Sequence, residues 1–193
     1  MKKVGLVLAG GRSERFGQDK SLLRHPLSGQ RFCDLAVEVL RPLVDEIALV
    51  RREPLENLPL EVVQLADPME GPARAVAVAI TGRAVERWYL IPCDMPGLTT
   101  EVYRRLESAL QGKEIACYQS DGEPQPMVSI WESSAAQCLL RLLEQDPRSS
   151  LKAILPRASS VVLEVSARER EMFRNINRPS DYEEWARHLL LQG

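Results

Sequence analysis

The sequence predicts an α/β fold in which a mostly parallel sheet lies between two layers of helices. Short aliphatic segments alternate with amphipathic segments along the first half of the chain, and the first segment runs directly into two glycines. Such alternation is typical of parallel strands that are joined by crossover helices. The 193 residues fit a single domain, 1–193, because domains commonly contain about 100–200 residues.

The first half of the chain contains most of this alternation. Four aliphatic runs predict strands, at Lys3–Leu8, Glu46–Val50, Leu60–Leu65 and Arg87–Pro92. Apolar residues at helical spacing predict a helix over Phe32–Leu43, which Pro42 should distort or close. The run Pro72–Ile80 has proline at its start and predicts a second helix, although its alanine and valine content leaves a strand as the alternative.

The second half predicts further strands and helices. Strands are expected at Ile115–Tyr118, Met127–Trp131 and Ser160–Val165. Helices are expected after a cap at Thr99 or Thr100, after a cap at Ser133, and from a capping box at Ser180-x-x-Glu183 to about Leu190. In a parallel sheet, ligands bind beyond the carboxyl ends of the strands, and the unusual residues of this chain follow those ends.

Composition and charge exclude several classes of protein. A net charge of −2 argues against a protein that coats nucleic acid, and no apolar run approaches the ~20 residues of a membrane span. The four cysteines form no CxxC pair, which excludes a metal cluster and fits a reducing compartment. The apolar start of the chain is interrupted by a charged segment, unlike a signal peptide. We therefore expect a cytoplasmic protein without nucleic-acid or membrane partners.

The loop after the first strand is the most informative segment. Gly10 and Gly11 allow the backbone to turn tightly and to bring its N–H groups close to a phosphate or a base. Arg12, Arg15 and Lys20 follow within nine residues of these glycines and supply positive charge for a polyphosphate. The spacing matches neither a Walker P-loop nor the GxGxxG fingerprint of dinucleotide-binding proteins.

The loop sequence LAGGRSERFGQDK closely resembles the signature of the molybdenum cofactor guanylyltransferase family of nucleotidyltransferases. Four further segments resemble motifs of that family in the same order. They are Asp67-Pro68 with Gly71-Pro72, Pro92-Cys93-Asp94-Met95-Pro96, Gln125-Pro126-Met127, and Asn175-Ile176-Asn177-Arg178-Pro179-Ser180-Asp181. The resemblance implies a Rossmann-like, three-layer nucleotide-diphospho-sugar transferase fold with a mostly parallel, mixed sheet. It also implies transfer of GMP from GTP to the terminal phosphate of molybdopterin, in its molybdenum-bound or metal-free form, with release of pyrophosphate.

The resemblance and the residue chemistry together assign a candidate site. Asp94 is expected to hold Mg²⁺, because a carboxylate is a hard oxygen ligand and Mg²⁺ needs only one or two of them. Lys20, supported by Arg15, is expected to neutralise charge in the transition state. Lys20 and Asp94 are also expected to bind the nucleotide, together with residues of the glycine-rich loop and a second aspartate. The expected nucleotide-binding residues are Leu8, Ala9, Gly10, Gly11, Lys20, Asp67 and Asp94.

Three amides are expected to bind the acceptor, because amides donate and accept hydrogen bonds without adding charge. They are Gln125, Asn175 and Asn177, and turn formation is the alternative role of each. Two positions depart from the family: Arg51 stands where an asparagine near the nucleotide is common, and Arg74 lies where GPLAG is the commoner sequence.

Two other functions are compatible with the sequence. One is the same chemistry with CTP or another phosphorylated acceptor, although cytidylyltransferases tend to carry LAAG where this chain has Leu8-Ala9-Gly10-Gly11. The other is an adapter that binds a nucleotide or cofactor for molybdoenzymes, and molybdoenzymes or their chaperones are further candidate partners. The retention of both Lys20 and Asp94 favours an enzyme.

Overall fold

The computed structural model describes residues 2–10, 16–58, 62–68 and 70–192. Within these ranges the strands form one seven-stranded sheet, in the order β3-β2-β1-β4-β6-β5-β7. The strands are β1 (Lys3–Leu8), β2 (Glu46–Arg51), β3 (Val62–Ala66), β4 (Arg87–Pro92), β5 (Ile115–Ser120), β6 (Glu123–Glu132) and β7 (Ser160–Glu164). The predicted strand start at Leu60 lies outside the described residues.

The sheet is mostly parallel, and one strand makes it mixed. β1 pairs in parallel with β2 and β4, β2 pairs in parallel with β3, and β5 pairs in parallel with β7. β6 runs antiparallel to both of its neighbours, β4 and β5. The carboxyl ends of β1 to β4 and the amino end of β6 therefore meet at one edge of the sheet.

Five α-helices lie in the described part of the chain, together with short 3₁₀ turns. The helices are α1 (Phe32–Leu40), α2 (Pro72–Ile80), α3 (Thr100–Leu110), α4 (Ser133–Gln145) and α5 (Pro179–Gln192). The 3₁₀ turns are Lys20–Leu22, Arg41–Leu43, Leu151–Ile154 and Arg170–Phe173. Within the described ranges, none of the helices combines the length and the apolar character that crossing a membrane requires.

The core is divided between the two faces of the sheet. α1 and α3 pack on one face, where residues such as Leu40 and Leu106 meet Tyr89 of β4. α2 and α4 pack on the other face, where Ala79 and Leu139 join a separate apolar cluster. This arrangement confirms the predicted three-layer α/β/α fold. The predicted helix over Pro72–Ile80 is confirmed, and five of its six alanine and valine residues are buried.

Several predicted boundaries and caps are wrong in detail. The predicted helix end at Leu43 is wrong, since α1 ends at Leu40. The predicted distortion at Pro42 is confirmed, because the segment that contains it continues as a 3₁₀ turn and proline cannot donate a helical hydrogen bond. The hydroxyl of Thr100 donates to the Val39 carbonyl rather than capping α3, and Thr99 makes no side-chain cap.

The caps of the last two helices also differ from the prediction. Ser133 is the first residue of α4, and the residue before it, Glu132, makes no side-chain cap. α5 begins at Pro179, one residue before the predicted capping box. The carboxylate of Asp181 accepts hydrogen bonds from the backbone N–H groups of Asn177 and Arg178 at 2.9 and 2.8 Å.

Candidate active site

A cavity of about 360 Å³ lies at the edge of the sheet where β1 to β4 end. This volume falls within the range of about 300–1,000 Å³ that is common for small-molecule sites. The lining residues come from the ends of β1 and β4, the segment after β3, the 3₁₀ turn at Lys20, the start of α2 and the middle of β6. They are Leu8, Ala9, Gly10, Asp19, Lys20, Ser21, Asp67, Gly71, Pro72, Ala75, Pro92, Cys93, Asp94 and Met127.

Lys20 and Asp94 form an ion pair at this cavity. Lys20 Nζ lies 3.1 Å from Asp94 Oδ2, and each side chain is 18% exposed. Lys20 Nζ also donates a hydrogen bond to Asn177 Oδ1 at 2.8 Å. The structure therefore brings together three of the residues singled out from the sequence, and it places Asn177 on the lysine.

The backbone fixes Asp94 from two sides. The N–H of Cys93 donates to the Leu8 carbonyl at 3.2 Å, which continues the β1–β4 pairing beyond the strand ends. The N–H of Ile176 donates to the Asp94 carbonyl at 2.8 Å, and the Ile176 side chain is buried against Phe32 and Trp185. The position of Asp94 is thus set by strand pairing and by a buried apolar cluster.

One oxygen of Asp94 has no partner among the described residues. Asp94 Oδ1 is buried and accepts no hydrogen bond from that part of the chain. A buried carboxylate oxygen without a partner is costly, and a hard divalent cation is one group that would satisfy it. No cluster of three or more acidic, histidine or cysteine side chains among the described residues could hold a metal unaided. This donor set fits Mg²⁺, which usually keeps several waters and substrate oxygens.

Gly10 and Asp67 are packed against each other at the opposite side of the cavity. A Cβ placed on Gly10 would lie 1.6 Å from Asp67 Oδ2 and 2.5 Å from its Cγ. The N–H of Asp67 donates to the Arg51 carbonyl at 2.9 Å, so the β2–β3 pairing positions the aspartate. A side chain at position 10 would therefore displace the Asp67 carboxylate.

Burial raises the pKa of the Cys93 thiol well above its usual value, and the nearby Asp94 carboxylate adds to this shift. The thiol lines the cavity but stays protonated at neutral pH. Cys93 is therefore a small buried residue rather than a thiolate nucleophile.

The remaining predicted residues occupy different surroundings. Gln125 lies on β6 at the same edge of the sheet but does not line the cavity, and its side-chain amide donates to the Glu123 carbonyl at 3.4 Å. Asn175 is exposed on the segment that leads to Asn177. Gly11, Arg12 and Arg15 lie outside the described residues.

The two arginines that depart from the family pattern also lie apart from the cavity lining. Arg74, on α2, lies 3.5 Å from Glu70, with its side chain 31% exposed. Arg51 is buried and contacts Asp19.

Sequence reasoning did not single out Asp19, Ser21 or Met127 as lining residues. Asp19 directly precedes Lys20 in the loop sequence, so the motif that pointed to the lysine could also have pointed to the aspartate. Met127 belongs to the QPM segment, and its position in the middle of β6, which runs antiparallel to β4, brings it to the cavity. Ser21 carries no sequence signal of its own.

Comparison with known proteins identifies the family. The MobA-like NTP transferase domain matches residues 5–161. A probable molybdenum cofactor guanylyltransferase of Halalkalibacterium halodurans is 29% identical, and the match covers 96% of this chain and 98% of that protein. The molybdenum cofactor guanylyltransferase of Sinorhizobium fredii is 30% identical, with 95% and 92% covered.

Solved structures share the fold at lower identity. The molybdopterin-guanine dinucleotide biosynthesis protein A of Archaeoglobus fulgidus superposes with a TM-score of 0.75 at 23% identity and covers 99% of this chain and 100% of its own. A 4-diphosphocytidyl-2C-methyl-D-erythritol synthase of Anaerococcus prevotii gives a TM-score of 0.76 at 10% identity, with 98% and 96% covered. The fold is therefore shared by transferases that are named for different nucleotides. The domain match and the sequence relatives are what identify the family. The chain belongs to the MobA-like NTP transferase family and is a nucleotidyltransferase of the molybdenum cofactor guanylyltransferase type.

Proposed function

We propose that the protein transfers GMP from GTP to the terminal phosphate of molybdopterin and releases pyrophosphate, which forms the guanine dinucleotide cofactor. The observation that carries this proposal is the pairing of Lys20 with Asp94 beside a cavity of about 360 Å³. The names of the sequence relatives support the choice of GTP and of the molybdenum cofactor as acceptor. A phosphate oxygen of the acceptor attacks the α-phosphorus, and the bond from that phosphorus to the pyrophosphate oxygen breaks.

The nucleotide is proposed to lie against the first loop. The backbone of Leu8, Ala9 and Gly10 lines the cavity and approaches the base and sugar closely, because Gly10 carries no side chain. Asp67 accepts hydrogen bonds, and guanine presents N–H donors at N1 and N2. Gly11, which follows in the same loop, is proposed to extend this contact.

Catalysis is proposed to depend on charge and position, without a covalent nucleophile. Lys20 donates hydrogen bonds to the phosphates and neutralises negative charge that develops on the leaving pyrophosphate. Arg15 is proposed to support it. Asp94 holds Lys20 on one oxygen, which leaves its Oδ1 available to a cation.

Mg²⁺ is the proposed cofactor, and Asp94 is the residue that would hold it. When bound, the ion neutralises phosphate charge and orients the phosphates for in-line displacement. Lys20 Nζ contacts the other oxygen of the same carboxylate, so the proposed metal ligand and the proposed phosphate-binding cation are adjacent.

The acceptor side of the site is proposed to comprise Gln125 on β6 and Asn175 and Asn177 on the segment before α5. Asn177 touches Lys20, so this side of the site is joined directly to the phosphate-binding side. The mixed donor and acceptor edge of a pterin suits amide side chains. Molybdoenzymes, or the chaperones that load them, are the proposed recipients of the product.

Pyrophosphate release from the purified protein tests this function. With molybdopterin as acceptor, we expect release with GTP and Mg²⁺, at least tenfold less with CTP, and loss of release in EDTA. Asp94→Asn should abolish turnover, while the exposed control Glu144→Gln should retain it. Faster turnover with CTP would assign a cytidylyltransferase, and nucleotide binding without turnover would assign an adapter.

A further inference from the structure

Arg51 is a buried cation beside the site that the proposed mechanism does not use. It is the last residue of β2, and 4% of its surface is exposed. Its Nη2 lies 2.5 Å from Asp19 Oδ2, and the Arg51 side chain does not line the cavity. A buried guanidinium is costly to desolvate, so its pairing with a single carboxylate of the site calls for a functional reason.

Asp19 connects Arg51 to the turn that carries Lys20. While Asp19 Oδ2 binds Arg51, Asp19 Oδ1 accepts hydrogen bonds from the backbone N–H and the hydroxyl of Ser21, at 2.9 and 2.7 Å. Ser21 is 1% exposed. Lys20 lies between these two residues, so one carboxylate, anchored on β2, fixes the backbone on both sides of the lysine.

Arg51 also changes the charge that a nucleotide would meet. Three carboxylates line the cavity, those of Asp19, Asp67 and Asp94, against the single lysine among the described lining residues. The Asp19 side chain is 36% exposed, so without a partner it would repel a triphosphate. The pairing with Arg51 neutralises it from behind the cavity wall.

We propose that Arg51 is a positioning residue that acts through Asp19 to hold Lys20 at the phosphates. This inference rests on the proposed function of Lys20. An asparagine near the nucleotide is common at this position in the family. The proposal gives Arg51 a role other than contact with the base. The arginine is joined to the reaction by two successive contacts, Arg51 to Asp19 and Asp19 to the Lys20 turn.

A double-mutant cycle on pyrophosphate release tests the proposal. Arg51→Met should lower kcat about 10- to 100-fold, since a displacement of about 1 Å can cost that much. In a Lys20→Ala background the same substitution should change kcat less than threefold, because the lysine it positions is absent. Arg52→Met is the matched control, since Arg52 is the exposed neighbour of Arg51, and it should leave kcat unchanged.

The outcomes separate the inference from the proposed function. Equal loss of kcat from Arg51→Met in both backgrounds, or no loss in the parent protein, contradicts the positioning role. If Lys20→Ala retains full activity, the proposed function of Lys20 fails instead. A crystal structure of Arg51→Met gives a readout that needs no turnover: we expect Lys20 Nζ to move away from Asp94 Oδ2. An unchanged distance near 3.1 Å contradicts the inference even if activity is lost.

Discussion

Lys20 Nζ and Asp94 Oδ2 lie 3.1 Å apart, although 74 residues separate them in the chain. Lys20 follows the loop after β1, and Asp94 follows β4, which is the neighbour of β1 in the sheet. The parallel pairing of these two strands is what brings the charges together. The fold therefore holds the proposed phosphate-binding cation and the proposed metal ligand in contact, and such preorganisation would reduce the reorganisation that the proposed reaction requires.

Substitution of Lys20 tests this preorganisation. Lys20→Met should lower kcat for pyrophosphate release about 100- to 1,000-fold, because a preorganised donor to developing charge contributes about that much. Lys113→Met, at an exposed turn residue, should have no effect. Loss confined to KM would mean that Lys20 binds the ground state and the transition state equally well.

Asn177 and Asn175 should respond differently to substitution by alanine. Asn177 accepts a hydrogen bond from Lys20, so Asn177→Ala should lower kcat about tenfold, as expected for one lost hydrogen bond to a charged group. Asn175 is exposed, and Asn175→Ala should act on the KM of the acceptor instead. Steady-state kinetics with the acceptor varied would separate the two effects. Equal effects on kcat would contradict the assignment of Asn177 to the lysine.

The fold could be predicted well from local patterns. β1 and β4 have the predicted bounds because both are aliphatic runs buried on two faces. The extent of β6 could not be read, since its first residues, Glu123–Pro126, are polar or proline and pair with β5 near the tip of a hairpin. That pairing depends on the neighbouring strand, which the sequence of β6 does not contain.

The candidate site was predictable where its residues follow strands directly or lie on the segment that follows a strand. Gly10, Lys20, Asp67 and Asp94 could be placed at one edge because parallel strands end together. The contact between Lys20 and Asn177 could not, since it spans 157 residues and depends on how the chain before α5 packs over Asp94. The ion pair between Arg51 and Asp19 could not be predicted from local sequence either, because it joins the end of β2 to the segment after β1.

The close approach of Gly10 to Asp67 predicts a specific effect on nucleotide affinity. Gly10→Ala should weaken GTP binding about tenfold or more, because the added methyl group would displace the Asp67 carboxylate and remove a hydrogen bond to a charged group. Isothermal titration with GTP measures this change. In an Asp67→Ala background the glycine substitution should cost little more, since the carboxylate it meets is absent. Additive losses would show that Gly10 matters for another reason.

The contacts of Glu107 with Lys3 and Tyr89 predict how the free energy of unfolding depends on pH. Burial alone would raise the pKa of Glu107, but hydrogen bonds from Tyr89 and Lys3 outweigh burial and lower this pKa from its usual value. A depressed folded-state pKa stabilises the protein above the unfolded value, and this stabilisation is lost as pH falls through the folded value. Glu107→Gln should therefore lower the free energy of unfolding by about 1–2 kcal/mol at pH 7. The difference from the parent protein in urea denaturation should shrink towards pH 3.

The exposed control Glu101→Gln should change the free energy of unfolding little at either pH. A difference for Glu107→Gln that grows on acidification would contradict the assigned sign.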